Sequence, residues 1–307
     1  LQRNAAADSD LARRFAAGRF TITAEVVPPV STDPADLLVR AMPLRGLATA
    51  VNVTDGAGAK AHLSGLVAAH ILRQSGIEPI LQLTCRDRNR LALQNDLLGA
   101  LALGVRNVLI ISGDDPKTGD QPEAKPVFDL DSKALLALAQ EIASARRLPS
   151  GAAVQGPTQL LLGAATLPLD PPADWRPADL VGKADAGARF VQTQFCMDMT
   201  TTRRWIARLN ELGLTDRLKV LVGVAPIPSA RSARWMQTRL FGTIIPGSLV
   251  ERLEHARDPR REGIKICIEI LHELKTIPGV AGAHIMAPQN PSAIAEVIAA
   301  FEAEARS

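Results

Sequence analysis

Along the chain, short and nearly unbroken apolar runs alternate with longer stretches whose apolar residues recur every three to four positions. The runs FTITAEVV, ATAVNVTD, EPILQLTC, RNVLIISGD, LLLGAATLP, RFVQTQF, LKVLVGVAPI and VAGAHIMAP read as strands. Between them, PADLLVRAMPLRG, AHLSGLVAAHILRQSG, RNRLALQNDLLGALALG, SKALLALAQEIASA, PADLVGKADAGA, TTTRRWIARLNELG, SARSARWMQTRLFG and SAIAEVIAAFEAEA read as helices. Strands without a strict apolar–polar alternation belong to a parallel sheet that helices cover. Gly46, Gly76, Gly104 and Gly213 each stand between a helical pattern and the next strand, where helices stop. Eight strand–helix units predict an α/β fold, a single (β/α)8 TIM barrel over residues 1–307, with 1–18 as a helical or flexible N-terminal extension. A doubly wound open sheet is the alternative; the unit count and the lack of need for a second domain favour the barrel.

In such a barrel the chemistry collects at the C-terminal ends of the strands. Those ends carry Glu25, Asp55, Thr84 with Arg86 and Asp87, Gly113 with Asp114, Thr166, Gln194, Pro226 and Met286. Glu25 is a carboxylate at the mouth of an apolar run that Pro28 and Pro29 then stop. An unpaired polar group costs a few kcal/mol to bury, so Glu25, Asp114 and Gln194 are expected to face a ligand or each other. The bland alternative for Glu25 is an ion pair with an arginine at the rim. In CRDRNR, Arg86 and Arg88 suit a charge-paired helix start as well as an anionic ligand.

Composition narrows the partners. The chain of 307 residues is 47% hydrophobic and 22% charged, enough for a sizeable core. Its net charge of +3 is spread thinly, without a Lys/Arg run or an aromatic stripe, so nucleic acid is not expected. Cys85, Cys196 and Cys267 are odd in number and widely spaced, which argues against disulfides and against a Cys-built zinc site. The five histidines are scattered and form no HExxH, so no metal is expected. No apolar run is long enough to span a membrane. The opening LQRNAAADSDLARRFAAGRF has no apolar signal core, and the expectation is a cytoplasmic protein. DGAGAKAH lacks the third glycine of a dinucleotide fingerprint, and GDDPKTGD lacks the Gly-Lys-Ser/Thr of a phosphate loop.

Five segments in order, AEVVPP, VNVTDGA, LQLTC, SGDDP and KADAGARFVQTQF, resemble the methylenetetrahydrofolate reductases. The resemblance runs from about residue 20 to 290, and LTCRDRN with ISGDDPKTGD looks most like the reductase half of bifunctional homocysteine methyltransferase–reductase proteins. It implies a barrel holding FAD at the strand ends, reduced by NADH or NADPH, that converts 5,10-methylenetetrahydrofolate to 5-methyltetrahydrofolate in one-carbon metabolism and methionine biosynthesis. Glu25 matches the family's general acid, and Asp114 an aspartate near flavin and pterin. Gln194 matches a glutamine that meets pterin and nicotinamide. Thr54, Asp55 and Ala57 match flavin- and nicotinamide-contacting positions, and Lys183 a lysine reaching the cofactor's phosphates or ribose. The residue types suit the reaction: the bridge between N5 and N10 must open to an iminium before hydride arrives, and a placed carboxylic acid can supply the proton.

Gln82 stands where the family often has His, and Ser112 precedes Gly113 and Asp114 where Arg is common. Thr166 falls at a flavin-contacting Tyr, Asp170 at a His, and Asn290 at a substrate-contacting Arg. Thr166, Asp170, Ser112, Gly113 and Gln82 are thus the expected cofactor contacts, and Asn290 an expected substrate contact. These departures open a second reading, direct hydride transfer between nicotinamide and folate, or the oxidative direction. A non-catalytic folate-binding subunit is a third. The expected partners are a folate and a second copy of the chain, with a partner subunit as the alternative.

Overall fold

The computed structural model describes residues 8–287 and 290–304. Eight parallel strands close into a barrel in chain order: β1 (Thr21–Val26), β2 (Ala50–Val53), β3 (Pro79–Thr84), β4 (Asn107–Ile111), β5 (Leu161–Thr166), β6 (Phe190–Phe195), β7 (Lys219–Val224) and β8 (Val280–Ile285). Closure is made by β1 pairing with β8, with Thr23 beside His284. The open-sheet alternative is thereby excluded.

The helices are α1 (Asp10–Ala16), α2 (Pro34–Ala41), α3 (Gly65–Gln74), α4 (Arg90–Ala102), α5 (Ser132–Ala145), α6 (Ala178–Asp185), α7 (Met199–Glu211), α8 (Leu214–Arg217), α9 (Ala230–Arg239), α10 (Gly247–His255), α11 (Pro259–Lys275) and α12 (Pro291–Glu304). Local sequence sets many of their starts. Asp33, Asn89, Asp131, Asp198, Ser229 and Asp258 each accept a backbone N–H of the helix that follows, satisfying donors the helix cannot satisfy itself. None of the helices among the described residues is long and apolar enough to cross a membrane.

Each strand sends alternate side chains to two different places. Ile22, Ala24 and Val26 of β1, Leu81 and Leu83 of β3, and Val191 and Phe195 of β6 point outward to the helices and form the main core. Inside the barrel the composition changes with height. Ala50, Ile80, Leu109, Leu161, Phe190 and Leu221 fill the lower end as a separate apolar cluster. Helix α1 closes that end, placing Leu11, Ala12 and Phe15 against the cluster, with the rings of Phe15 and Phe190 5.8 Å apart. Glu78 holds α1 there, accepting the backbone N–H groups of Asp10 at 2.6 Å and Leu11 at 2.9 Å. Within the span 1–18 the described part is therefore this short helix, docked under the barrel.

Above the apolar cluster lies a polar layer. The side chains of Asn52 and Gln192 exchange two hydrogen bonds, Asn52 Nδ2 to Gln192 Oε1 at 2.6 Å and Gln192 Nε2 to Asn52 Oδ1 at 3.1 Å. Both are almost fully buried, so each satisfies a group whose burial alone would be costly. This layer is the floor on which the mouth of the barrel rests.

Candidate active site

The mouth opens into a cavity of about 580 Å³. Of the residues singled out in the sequence, Glu25, Gln82, Thr166, Lys183, Gln194 and Met286 line it. Glu25 is the last inward position of β1, and its Oε2 accepts a hydrogen bond from Gln82 Nε2 at 3.1 Å. The same oxygen lies 3.7 Å from Nε2 of His284, a nearly buried residue from β8. Nδ1 of His284 is 2.9 Å from the hydroxyl of Thr23, and that hydroxyl also accepts from Gln192 Nε2 at 3.3 Å. The remaining option for the Thr23 hydrogen, the carbonyl of Ala283, is farther away at 3.5 Å. In the tautomer in which Thr23 donates to Nδ1, the ring proton sits on Nε2 and faces Glu25.

Gln194 reaches the cavity through an irregularity of β6. Between Gln192 and Phe195 that strand carries one more residue than β7 opposite it. A bulge of this kind re-aims a side chain. Thr193 Oγ1 accepts the N–H of Gly223 at 2.8 Å, and Gln194 Oε1 accepts the N–H of Phe195 at 3.0 Å. A Cβ at position 223 would come within 2.4 Å of the Thr193 carbonyl, so only glycine fits beneath the bulge.

A second group forms the wall beside the cavity. Asp55 Oδ2 accepts the N–H and the hydroxyl of Thr84, each at 2.9 Å, and pairs with Arg88, which also pairs with Asp96 at 2.8 Å. Arg86 is buried; it chelates Asp87 at 2.7 Å and donates to the carbonyls of Gly56 at 3.2 Å and Asp114 at 3.5 Å. Arg90 binds Asp129, whose carboxyl is held down at about 2 by that guanidinium. All three arginines of the CRDRNR segment that follow Cys85 are thus bound to carboxylates, and they pin the loops after β2, β3 and β4 together. Gly113 turns beneath them with φ +94°, and a Cβ there would approach the Arg86 Cβ to 2.9 Å.

Several expected contacts sit away from the cavity wall. Asp114 is exposed, and its Oδ2 accepts the N–H of Gly58 at 3.0 Å, tying the loop after β4 to the Ala57–Ala59 turn after β2. Ser112 is exposed on the same loop. Asp170 forms an ion pair with Arg204 of α7 at 3.0 Å, because that helix offers it a cation outside the cavity. Asn290 lines a second, more apolar groove of about 430 Å³ with Phe195, Ile227, Trp235 and Met286, and accepts from Arg260 at 3.5 Å. Met286 belongs to both hollows, so the groove and the cavity meet there.

The functional side chains not singled out in the sequence are Thr23, Asn52, Gln192 and His284. The signal for Thr23, Asn52 and Gln192 was present, each being a polar residue two positions from another polar residue within an apolar run; His284 stands alone among apolar neighbours in β8.

The cysteines take no part. Burial pushes the thiol of Cys85 up to about 11 and raises those of Cys196 and Cys267, which keeps all three un-ionised. The polar groups that could hold a cofactor are of another kind. The Thr54 hydroxyl, buried at the end of β2, has no hydrogen-bond partner among the described residues. Lys183 Nζ reaches the cavity wall, bonded to the carbonyl of Ala165 at 2.8 Å and to Asp179 at 2.6 Å. Arg176 lines the cavity with no carboxylate bound to it among the described residues. A lysine and a guanidinium with no carboxylate bound to it among the described residues, both lining the cavity, suit a polar molecule that carries phosphate.

A family model described as methylenetetrahydrofolate reductase matches residues 10–302. The chain is 26% identical over 243 residues to a probable methylenetetrahydrofolate reductase (NADPH) from Caenorhabditis elegans, covering 76% of this chain but 34% of that protein. It thus spans about a third of that relative's length. To the 5,10-methylenetetrahydrofolate reductase of Pectobacterium carotovorum it is 26% identical, covering 73% of this chain and 74% of the other. Among solved structures, a protein from Clostridium thermocellum described as binding two copies of 5-methyl-5,6,7,8-tetrahydrofolic acid superposes with a TM-score of 0.66 at 14% identity, covering 96% of this chain and 99% of that one. That likeness is one of fold.

Proposed function

The chain belongs to the methylenetetrahydrofolate reductase family, and on that premise we propose that it reduces 5,10-methylenetetrahydrofolate to 5-methyltetrahydrofolate, with NADH or NADPH as reductant, FAD as hydride carrier and Glu25 as general acid. One observation carries the reading: Glu25 stands in the barrel mouth with one carboxylate oxygen between the Gln82 amide and His284, in the same cavity as Gln194. The Clostridium thermocellum protein of like fold is described as binding a methyltetrahydrofolate, which supports a folate as the ligand of this barrel.

Bound FAD would take hydride from the nicotinamide and offer it to the folate. The chain's own residues do the rest. Gln194 supplies an amide that can pair with the pterin edge, turning the methylene bridge toward Glu25. Glu25 gives its proton to the departing bridge nitrogen, the carbon–nitrogen bond breaks, and the exposed iminium carbon accepts the hydride to become the methyl group. Gln82 and His284 hold the carboxylate left behind: the Gln82 amide donates to it at 3.1 Å, and His284 Nε2, 3.7 Å away, is a ring nitrogen that can exchange a proton with it. Thr54, Thr166 and Lys183 would hold the cofactor; Asp55 and Ala57 act through the loop they shape, and Asp114 closes that loop through Gly58. Asn290, in the groove that joins the cavity at Met286, lies on the path of a folate tail.

A second reading, hydride passing directly from nicotinamide to folate, is favoured by the pairing of Asp170 with Arg204 outside the cavity. The visible spectrum decides between them. Purified protein that is yellow, or that gains activity on addition of FAD, supports the flavin route. Colourless protein that reduces the folate with NADH or NADPH and ignores FAD supports direct transfer. Protein with neither activity overturns the proposal.

A further inference from the structure

We propose that the hollow beneath the barrel, between α1, the chain entering β1 and the loop before β2, is a second ligand site. It takes a small molecule that carries two anionic groups, phosphate or carboxylate, gripped by Arg14 of α1 and by Arg19 just before β1. This site is separate from the mouth, and its existence does not depend on the activity proposed there.

The hollow measures about 510 Å³, a size common among small-molecule sites. It lies at the N-terminal ends of the strands, since Arg19 precedes β1 and the lining residues Gly46 to Thr49 precede β2. The mouth with Glu25 is at the opposite end. Helix α1 contributes Asp10, Arg13 and Arg14 to the wall. Arg13 is already occupied, bonding Asp8 and Asp10 at 2.5 Å each. Glu78, the third acid at this end, is spent on the backbone N–H groups of Asp10 and Leu11. Arg14 is half-buried and Arg19 is exposed, and neither guanidinium has a carboxylate bound to it among the described residues. Arg45, exposed on the loop before β2, adds a further cation beside Gly46. The hollow thus holds two guanidiniums whose anion the described chain does not supply.

Elsewhere Arg88, Arg204, Arg217 and Arg252 each bind a carboxylate. An exposed arginine needs none, because water solvates it. Arg14 has lost part of that solvation and gained no acceptor in exchange. The same end of the barrel repeats the pattern before β4. Arg106 is half-buried and donates to the carbonyl of Leu101 at 3.0 Å. Burial, and then the like charge of Arg73, loosen its hold on its proton, while Asp8 opposes them. Asp8, however, is the acid already bonded to Arg13. Like charges gathered in this way are stabilised by an anion that comes from outside. A guanidinium meets a phosphate or a carboxylate with two parallel hydrogen bonds, so two guanidiniums select a molecule with two such groups. Ala17, Leu47 and Ala48 give its carbon skeleton an apolar wall. A ligand held by both arginines would also fasten α1 to the strand that carries Glu25.

The test titrates the whole chain with pyrophosphate and with citrate at constant ionic strength, followed by calorimetry and by amide hydrogen exchange. At least one probe is expected to saturate at one molecule per chain and to slow exchange in residues 10–19 and 45–49. Arg14→Ala and Arg19→Ala should each weaken it about 10- to 100-fold, the worth of a lost charge-assisted contact, and the double variant should abolish it. Arg14→Lys should recover part of the loss, since charge returns without the fork. Arg19 lies outside any helix or strand, so Arg19→Ala tests the site even if Arg14→Ala disturbs α1. Pyrophosphate alone assigns the phosphate class, citrate alone the carboxylate class, and both together the chemistry the two share. Binding of neither overturns the site. So does equal binding by the double variant, or protection confined to the loops of the mouth. These readouts are of binding and exchange, so they hold or fail whether or not the mouth reduces a folate.

Discussion

Glu25 Oε2 and His284 Nε2 lie 3.7 Å apart at the centre of the barrel mouth, although they stand at opposite ends of the chain. They meet because β1 and β8 are the strands that close the barrel, and the register sets His284 beside Thr23, two residues before Glu25. Thr23 then orients the imidazole by its hydroxyl. The pair is the place where closure of the fold and the proposed proton transfer coincide.

Replacing Glu25 with Gln keeps size and polarity but removes the transferable proton. Reduction of the folate is expected to fall about 10²–10⁴-fold, the usual worth of a general acid. Oxidation of NAD(P)H with an artificial acceptor needs no proton on folate nitrogen and should fall far less. Separate assays of the two half-reactions check this; a parallel drop in both would make Glu25 a structural carboxylate.

His284 is proposed to position Glu25 and to return its proton. His284→Asn keeps a polar group near Thr23 but withdraws the imidazole. The folate half-reaction should slow by about 10- to 100-fold and change its pH profile, while the nicotinamide half-reaction keeps its own. An unchanged pH profile alongside a slower rate would reduce His284 to a packing residue.

The Asn52–Gln192 pair is a buried amide couple, so removing one partner strands the other. Asn52→Leu is expected to destabilise the protein by about 1–3 kcal/mol, and the double change Asn52→Leu with Gln192→Leu to recover part of that loss. Denaturant melts of the two single variants and the double variant give the coupling. Additive losses would show that the two amides do not depend on each other.

Burial raises the Glu78 carboxyl above its ordinary value of 4.5, against the opposing bonds from the N–H groups of Leu11 and Asp10 and from Asn107. A raised carboxyl holds its proton in the folded state over a range where the unfolded chain has released it. Its contribution to stability is therefore full below about pH 4.5 and is lost as pH rises through the folded value. Glu78→Gln should be less stable at neutral pH, since one amide oxygen replaces two acceptors, yet should show a flatter decline between about pH 4.5 and 7. Urea melts across that range test it, and an unchanged slope would exclude Glu78 as its source.

Much of this molecule was legible in the sequence. Eight apolar runs with helical segments between them announced the strands, because helix-covered parallel strands are apolar on both faces. The position of Glu25 before Pro28 and Pro29 announced a strand end. The polar residues two apart, Thr23 with Glu25 and Gln192 with Gln194, carried the inward face in their spacing. For Arg86 and Arg88 the sequence left a charge-paired helix start and an anionic ligand equally open, and both arginines bind carboxylates.

What only the tertiary structure decided is which of these groups meet. The period of two says that a side chain points into the barrel. It does not say at what height, because height depends on the stagger accumulated around a closed sheet. That stagger brings His284 to Glu25 and sets Asn52 against Gln192. It also let α1 become the plug under Phe190, which its composition alone left as either a helix or a flexible extension. Asp114 had the right residue type and the right place in the chain, and Asp170 stood where the resemblance puts a His, but local donors, Gly58 N–H and Arg204, decided where their carboxylates went. Sequence determined which residues stand at the strand ends, since that depends on short-range periodicity; closure determined their partners, since those contacts join strands far apart along the chain.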